Sequence, residues 1–402
     1  MRQTTLSVIF LFLLPVSLFS QKLQPVKKFG ANPGRLRMYM YNPPGLAADA
    51  KAPLVIVLHG CLQNAKIVAK QTDWNKLADT YGFRVVYPQQ RVINNPCQCF
   101  NFYRPKDINK NSGEDYSIEQ MAEYMIHSYN SDTTNIYITG LSAGAAMSVV
   151  ELADYPHLFK AGAIFAGAAY KTATNIFSAM AGMYGFISLS PEHWAGYVRA
   201  QNPDYKGPYP KVIVFHGNAD LVVNPRNAKQ LVKQWTCLHG ISAQPTQTIR
   251  HFAQVKSLDK FIYNGPDGMP AVIYYKMRHM GHALPVYPGH CEQRGGHMVP
   301  FSANKKCFST YWTALDFGLI PAPQITGKTS VAKNEQVTYT VPVNYSSSFT
   351  WKFPKDCKAV SDTGNNMLTV IWGSKPGNID VTETDGKHCS KVYSTLGVGV
   401  EP

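Results

Sequence analysis

The chain is long and basic, and it has enough apolar residues to build a large folded core. It has 402 residues, of which 45% are hydrophobic and 16% are charged, and its formal net charge is +14. This composition excludes an intrinsically disordered protein, and the length indicates two domains or three. Lysine and arginine are scattered, with no run longer than a pair, so we expect no nucleic-acid partner. Attraction to acidic polysaccharide or another anionic surface is the alternative to a merely solvated basic surface.

The first twenty residues have the pattern of an export signal. Arg2 provides a positive start, and residues 6–19 form an apolar stretch that is short for a membrane span. Ser20 is the expected last residue before cleavage, and no cysteine follows closely enough to carry a lipid anchor. We therefore expect residues 1–20 to be removed and the mature chain to be secreted to the extracellular space or the periplasm, without a membrane anchor.

Strand-like and helix-like segments alternate from Arg35 to about Leu319. The predicted strands are 54–58, 84–87 (ended by Pro88), 135–139, 161–166, 211–215 and 271–275. The predicted helices are 65–81, 117–129, 145–153, 227–238 and 305–317. Apolar strands alternating with helices predict an α/β fold with a mostly parallel sheet that is covered on both faces. Functional sites in such sheets form at the carboxyl ends of the strands.

The loop after the first of these strands reads His59-Gly60-Cys61-Leu62-Gln63. Gly60 allows the backbone to approach a substrate closely. The Cys61 N–H is therefore a candidate for one of the two donors of an oxyanion hole. Only the backbone of Cys61 would act, so its side chain remains available for a structural disulfide.

Residues 140–144, Gly-Leu-Ser-Ala-Gly, fit the pattern of a nucleophile elbow. The pattern requires a strand before it and a helix after it, and the sequence predicts both. Gly140 and Gly144 occupy positions where a side chain would clash with the neighbouring strand and helix. We predict that Ser142 is a nucleophile at a helix N-terminus, and that the Ala143 N–H is the second oxyanion donor.

A serine nucleophile needs a base and an acid that orients the base, and in α/β-hydrolases they follow in the order serine, acid, histidine. Asp220 follows the strand 211–215 and is the predicted acid, with an ordinary surface-turn aspartate as the alternative. His282 follows the strand 271–275 and is the predicted base. Gly281 allows the tight turn that would bring the imidazole to the serine. His279 is the nearest rival for the role of base.

Eight cysteines fit an exported protein. Six precede residue 321, and six cysteines allow 15 connectivities. Cys97 and Cys99 are too close to favour pairing with each other, so we expect one of them to bridge to Cys61. Cys357 and Cys389 lie in the C-terminal region, and we expect them to pair there.

Two groups of potential metal ligands have simpler explanations. Cys97 and Cys99 lack a second cysteine pair that would complete a tetrahedral zinc site, and a redox role is the other alternative for them. Four histidines and one cysteine crowd a short stretch: His279, His282, His290, Cys291 and His297. Pro285 and Pro288 interrupt helical spacing there, and a disulfide is the better use of the cysteine. We therefore predict neither a metal nor a cofactor.

The pattern changes at Pro321-Ala322-Pro323. Short strands are predicted at 337–343, 349–353, 367–372 and 379–384, with glycine, asparagine and aspartate turns between them. They indicate a small all-β sandwich without a catalytic pattern. The predicted division is a signal peptide at 1–20, an enzyme domain at 21–320 and a β-sandwich at 321–402.

Several motifs occur in the order found in one known family. They are His59-Gly60-Cys61-x-Gln63, Cys99-Phe100-Asn101, Gly113-Glu114-Asp115, Thr139-Gly140-Leu141-Ser142-Ala143-Gly144, Phe215-His216-Gly217-x-x-Asp220 and Gly281-His282-Ala283. Over residues 35–317 the chain resembles the polyhydroxybutyrate depolymerase family of secreted esterases, which also includes feruloyl and acetylxylan esterases. The resemblance implies an α/β-hydrolase fold. By position it makes Ser142 the nucleophile, Asp220 the acid, His282 the base and Cys61 an oxyanion donor.

The chain departs from the family pattern at a few positions. Phe102 and Leu284 stand where the family often has tryptophan, and Ala145 replaces a usual glycine. The C-terminal region looks like the PKD-like or immunoglobulin-like modules of secreted bacterial enzymes, and it resembles no familiar polyester-binding domain.

These patterns together predict a secreted serine carboxylesterase that works through an acyl-enzyme, and we expect a monomer. Its substrate is predicted to be polymeric or oligomeric. Either a short-chain polyester such as poly(3-hydroxybutyrate) or the acetyl or feruloyl groups of plant polysaccharide would fit. A binding protein with a degenerate hydrolase domain is the alternative from another functional class. The C-terminal sandwich is either a spacer or a binder of carbohydrate or polymer.

Overall fold

The computed structural model describes residues 22–342, 347–386, 389–393 and 395–401. The predicted signal peptide at 1–20 lies outside the described residues. Within the described ranges, no helix combines the length and the apolar character that a membrane span requires.

A ten-stranded sheet organises the N-terminal three quarters of the chain. Its strands are β1 (Gln24–Val26), β2 (Arg37–Tyr41), β3 (Ala52–Leu58), β4 (Arg84–Gln89), β5 (Ser131–Leu141), β6 (Ala161–Phe165), β7 (Lys211–Gly217), β8 (Gln247–Ile249), β9 (Leu258–Asn264) and β10 (Pro270–Met277). Their order is β1-β2-β4-β3-β5-β6-β7-β10-β9-β8. The central strands from β4 to β10 are parallel, and the outer strands at both edges are antiparallel. This architecture confirms the predicted α/β-hydrolase fold with a mostly parallel sheet.

Helices cover both faces of the sheet. They are α1 (Ala65–Thr72), α2 (Trp74–Tyr81), α3 (Gly113–Tyr129), α4 (Ala143–Asp154), α5 (Ile176–Met183), α6 (Pro191–Arg199), α7 (Arg226–Leu238) and α8 (Ser309–Phe317). Successive side chains of β3 enter opposite cores: Leu54 and Ile56 pack in one, and Val55 and Val57 pack in the other. Since both faces are buried, the strand is a continuous apolar run rather than an alternating one.

Several predicted boundaries differ from the structure, and three of the differences have a visible local cause. The helix predicted at 65–81 is two helices, because Asp73 has a φ of 57° and ends α1 before α2 begins. Pro88 does not end β4, because it lies opposite Met38 and beyond the part of β4 that pairs with β3. The helix predicted at 305–317 begins at Ser309, since Lys306 is held at a φ of 54°.

Three buried carboxylates lie between α3 and α4, away from the strand ends. Asp115, Glu151 and Asp154 have no solvent-exposed surface. The hydroxyl of Tyr155 lies beside Asp115, and the hydroxyl of Tyr170 lies beside Asp154. The Tyr170 hydroxyl donates to Ile108 O at 2.9 Å. Burial raises the pKa of all three carboxyls, that of Asp154 to about 7.

These carboxyls make stability depend on pH. Their pKa values are higher in the folded state than in the unfolded state, so the folded protein holds protons that the unfolded chain releases. The free energy of unfolding therefore falls as the pH rises from the ordinary pKa range of an aspartate toward the folded pKa of about 7 for Asp154. We expect a higher melting temperature at pH 5.5 than at pH 8. Glu151→Gln should raise the melting temperature at pH 8 and reduce this difference, whereas Glu192→Gln, on the surface, should change neither. An equal pH dependence in Glu151→Gln and the unmodified protein would contradict this account.

The C-terminal region forms two small sheets with a core of their own. Its strands are β13 (Ser330–Val331), β14 (Gln336–Thr340), β15 (Ser348–Lys352), β16 (Lys358–Ala359), β17 (Met367–Ile371), β18 (Gly377–Thr384), β19 (Ser390–Val392) and β20 (Leu396–Val400), and a separate pair, β11 (Leu284–Val286) and β12 (Ser302–Asn304), precedes them. Tyr339, Leu368 and Trp372 are among the residues buried between the sheets. The strand predicted at 337–343 ends at Thr340, and residue 343 lies outside the described residues.

The cysteine pairing corrects one prediction and confirms another. Cys61 bridges to Cys99, as expected for one of the two neighbouring cysteines. The expected bridge between Cys357 and Cys389 is wrong: Cys389 bridges to Cys291, and Cys357 is a free thiol in the core of the C-terminal sheets.

The reason for the different pairing is the docking of β19 on the enzyme region. The Gln293 side chain donates to Val392 O and accepts from Val392 N–H, both at 2.9 Å. An ion pair of 3.0 Å between Lys391 and Glu292 lies beside these bonds. This docking brings Cys389 to Cys291.

Candidate active site

The turn between β5 and α4 holds Ser142 in a strained conformation. Ser142 has φ 57° and ψ −119°, which side-chain-bearing residues rarely adopt. Its N–H donates to Phe165 O at 2.9 Å, and its carbonyl accepts from Ala146 N–H at 2.9 Å. The conformation is therefore fixed by the neighbouring strand and by the first turn of the helix.

The two glycines of the turn have the steric role that the sequence predicts. A Cβ on Gly140 would lie 2.4 Å from the carbonyl carbon of Gly144. A Cβ on Gly144 would lie 2.4 Å from His59 O. Because both obstacles are backbone atoms, neither contact could be relieved by a side-chain rotation. The second contact also shows that the turn packs directly against the loop that contains Cys61.

Asp220 lies on the loop after β7, and its side chain is completely buried. Its Oδ1 accepts hydrogen bonds from Val222 N–H and Val223 N–H, both at 2.9 Å. Its Oδ2 accepts from His282 Nδ1 at 2.8 Å, with His216 Nε2 at 3.5 Å. Burial alone would raise the pKa of Asp220, but the hydrogen bonds from these groups outweigh it and hold the pKa well below its usual range. The carboxylate is therefore ionised and oriented toward the imidazole of His282.

His282 reaches Asp220 because the end of β7 and the loop after β10 approach each other unusually closely. A Cβ on Gly217 would lie 2.2 Å from Met280 O, and Ala219 N–H donates to that same oxygen at 3.0 Å. The rival His279 is elsewhere: it is exposed, and its backbone N–H donates to the Asn218 side chain at 2.7 Å. The geometry thus favours His282 over His279.

Ser142 and His282 line the same cavity, together with Cys61 and Ala143. Its volume is about 420 Å³. Within the part of the chain that the structure describes, no hydrogen bond joins the Ser142 hydroxyl to the imidazole, as is common in enzymes without bound substrate. Most of the other large side chains that line the cavity are apolar: Leu62, Phe102, Tyr103, Ile176, Met180, Met183, Val222 and Phe301.

The loop that contains Cys61 is rigid on both sides of that residue. Gly60 N–H donates to Gln63 Oε1 at 2.9 Å, and Leu62 N–H donates to Cys97 O at 2.8 Å. The disulfide from Cys61 to Cys99 closes the same loop. The N–H of Cys61 lies between these two anchored amides, and Cys61 lines the cavity. Ala143 also lines the cavity and is the first residue of α4, so its N–H has no acceptor within the helix.

Two supporting side chains were not predicted from the sequence. His59 is buried, which lowers its pKa to about 4, and it bridges Gly60 O at 2.7 Å and Gln90 N–H at 3.1 Å. Glu114 is also buried, which raises its pKa to about 7, and it accepts from Asn101 N–H at 2.7 Å. His59 and Glu114 each belong to a family motif given in the sequence analysis, and nothing else in the sequence indicated a role for them. They hold the two segments that the disulfide joins.

Among the described residues, one set of potential metal ligands comes together, and its members are not in the cavity lining. His290, Cys291 and Cys389 form one group of potential ligand atoms within 4.8 Å of one another. The two sulfurs are bonded to each other and cannot act as thiolate ligands, so the imidazole is the one good ligand in this group.

Comparisons with known proteins agree with this fold. The esterase PHB depolymerase family model matches residues 36–251, and a PKD-like domain model matches residues 319–398. The chain is 37% identical to poly(3-hydroxyalkanoate) depolymerase C of Paucimonas lemoignei, over 79% of this chain and 77% of that protein. It is 33% identical to feruloyl esterase B of Talaromyces funiculosus, over 70% of this chain and 78% of that protein.

A solved structure supports the fold of the enzyme region. Acetyl xylan esterase from Aspergillus awamori superposes with a TM-score of 0.63 and 24% sequence identity, covering 74% of this chain and all of that one. With the family model and the curated relatives, it leads to one conclusion. The chain belongs to the esterase PHB depolymerase family, and it is an esterase with an α/β-hydrolase fold and a C-terminal PKD-like domain.

Proposed function

We propose that this esterase is a serine carboxylesterase that forms an acyl-enzyme on Ser142. The observation that carries the proposal is the 2.8 Å hydrogen bond between Asp220 Oδ2 and His282 Nδ1, since His282 lines the same cavity as Ser142. If Nδ1 is the protonated nitrogen, as a carboxylate partner favours, Nε2 has a free lone pair that can accept the hydroxyl proton.

The reaction then follows from the positions of these groups. His282 Nε2 takes the proton of the Ser142 hydroxyl as its oxygen attacks the ester carbonyl, and the ionised Asp220 stabilises the imidazolium. His282 returns the proton to the departing alcohol, which leaves the acyl group on Ser142. A water molecule repeats the attack with the same base, and the acid is released.

The negative charge of the tetrahedral intermediate needs two donors that are already in place. We assign them to the N–H groups of Cys61 and Ala143. The anchored amides beside Cys61 keep its loop from reorganising, and the N-terminus of α4 adds a positive partial charge. The largely apolar lining of the cavity strengthens both interactions.

As substrate we propose an aliphatic polyester of the hydroxyalkanoate class. The relative from Paucimonas lemoignei and the apolar side chains around the cavity support it. A feruloyl ester on plant polysaccharide is the second candidate. The aromatic rings of Phe102, Tyr103 and Phe301 at the cavity favour it, as does the relative from Talaromyces funiculosus.

We further propose export, with a signal peptide at 1–20, an enzyme domain at 21–320 and an appended module at 321–402. The residue pattern of the N-terminus supports export, and so do the two disulfides, which persist in oxidising compartments.

The substrate is tested by product release from three polymers at equal mass: poly(3-hydroxybutyrate), acetylated xylan and feruloylated arabinoxylan. We expect soluble hydroxyacids from the polyester at a rate above that of acetate or ferulate release from the other two. Faster ferulate release would identify the second candidate. Inertness on all three polymers and on p-nitrophenyl butyrate would instead favour a binding protein with a degenerate site.

A further inference from the structure

Helix α5 buries its small residues and exposes its large apolar ones, which is the reverse of an ordinary amphipathic helix. Its buried residues are the small Ala179 and Gly182, whereas Ile176, Phe177 and Met180 are exposed. Phe177 has 82% of its surface in solvent. Surface helices normally turn such side chains toward the core, so their exposure here needs an explanation.

The orientation of α5 is fixed by polar contacts. Asn227 Nδ2 donates to Gly182 O at 2.9 Å, and Asn224 N–H donates to Met183 O at 2.7 Å. A Cβ on Gly182 would lie 2.5 Å from the Thr172 methyl group, so the small residue is required for this packing. The helix therefore cannot rotate to bury its large side chains without breaking its hydrogen bonds to the loop that follows Asp220 and to the start of α7.

The exposed apolar surface continues beyond α5. We call the following eight exposed residues the apolar rim: Leu62, Ile176, Phe177, Met180, Tyr184, Phe186, Leu221 and Val222. Half of them also line the cavity of Ser142, namely Leu62, Ile176, Met180 and Val222. The rim is thus continuous with the mouth of the candidate active site.

The rim also lacks charge in a strongly basic protein. Residues 172–191 contain no lysine, arginine, aspartate or glutamate, although the chain has 39 basic and 25 acidic residues. Exposed apolar patches of this kind mark interaction surfaces. A polysaccharide would present hydroxyl groups that need polar partners. An aliphatic polyester presents hydrocarbon and ester carbonyls.

We propose that the apolar rim adsorbs the enzyme onto the surface of a solid, water-insoluble aliphatic polyester. This inference rests on the proposed function for its substrate. Phe177, Phe186 and Leu221 lie on the rim but outside the cavity lining, so they would contact the solid without entering the active site. Ile176 and Val222 would then continue the contact from the solid surface into the cavity, where a polymer chain meets Ser142.

The test compares two triple variants that each remove three exposed apolar side chains. The rim variant is Phe177→Ser, Phe186→Ser and Leu221→Ser. The matched control is Met269→Ser, Val360→Ser and Met367→Ser, which are exposed residues outside the rim. Adsorption is measured as depletion of protein from solution by poly(3-hydroxybutyrate) granules, at low and at high salt, with xylan particles as the other solid.

We expect the rim variant to adsorb to the granules at least about tenfold more weakly, because the three substitutions remove apolar area that would contact the solid. The control should adsorb like the unmodified protein. Added salt should release neither of these two proteins from the granules, because salt weakens electrostatic attraction but not apolar contact. Both variants should keep the kcat/KM of the unmodified protein for soluble p-nitrophenyl butyrate. Ser142→Ala should still adsorb, which separates the adsorption from the chemistry.

Three outcomes would overturn the proposal. The first is equal adsorption of the rim variant and the control. The second is equal adsorption of the unmodified protein to xylan and to the polyester. The third is a dimer in light scattering that the rim variant converts to a monomer, since the rim would then be covered by a second copy. Failure of the unmodified protein to hydrolyse the soluble ester would refute the proposed function and leave the adsorption result to be judged by itself.

Discussion

Replacing Ser142 with alanine is expected to lower kcat for p-nitrophenyl butyrate by about five orders of magnitude. The variant keeps the cavity and the donors of the oxyanion hole, but it has no oxygen that can form the acyl-enzyme. Its folding should be unaffected, because the recorded hydrogen bonds of Ser142 use its backbone. Hydrolysis is measured by release of p-nitrophenol, and folding by circular dichroism and melting temperature.

Ser148→Ala is the matched control for this experiment. Ser148 lies on the same helix, and its hydroxyl donates to Gly144 O at 2.9 Å, inside the helix and away from the cavity lining. We expect it to retain turnover close to that of the unmodified enzyme. A Ser142→Ala enzyme with more than about a hundredth of the original kcat would disprove the assignment of the nucleophile.

The second large effect is expected from His282→Gln. Glutamine can donate a hydrogen bond to Asp220, but it cannot accept and return the proton of the nucleophile. The expected loss of kcat/KM for p-nitrophenyl butyrate is about ten-thousandfold. Asp220 would remain buried, so the melting temperature must be measured beside the kinetics.

His279→Gln separates the two candidate bases. His279 is exposed, and its recorded contacts are made by its backbone: the N–H donates to Asn218 Oδ1, and the carbonyl accepts from Lys305. The substitution should leave turnover nearly unchanged. Loss of activity in His279→Gln with retention in His282→Gln would reverse the assignment of the base.

The parts of the site that local sequence rules govern were predictable. A strand followed by Gly140 to Gly144 and a helix predicted the turn that the structure shows. The order of Asp220 and His282 behind their strands predicted two side chains that the structure brings together. The fold class followed from the same alternation of strands and helices.

The parts that depend on contacts between distant segments were not predictable. The close approach of Gly217 to Met280 joins the end of β7 to the loop after β10, and the sequence of neither segment shows it. The pairing of Cys389 with Cys291 depends on the docking of β19, whereas the expected partner, Cys357, was chosen by proximity along the chain. Helix α5 was missed because its segment has no alternation between apolar and charged residues.

The disulfide between Cys291 and Cys389 has a consequence for the integrity of the protein. It joins residues 98 positions apart and encloses the connection at Pro321-Ala322-Pro323 within a covalent ring. A protease that cuts this connection would open the ring without separating its two sides. The disulfide would then be the covalent link between the PKD-like module and the esterase, beside the contacts of β19, and a reductant would be needed to break it.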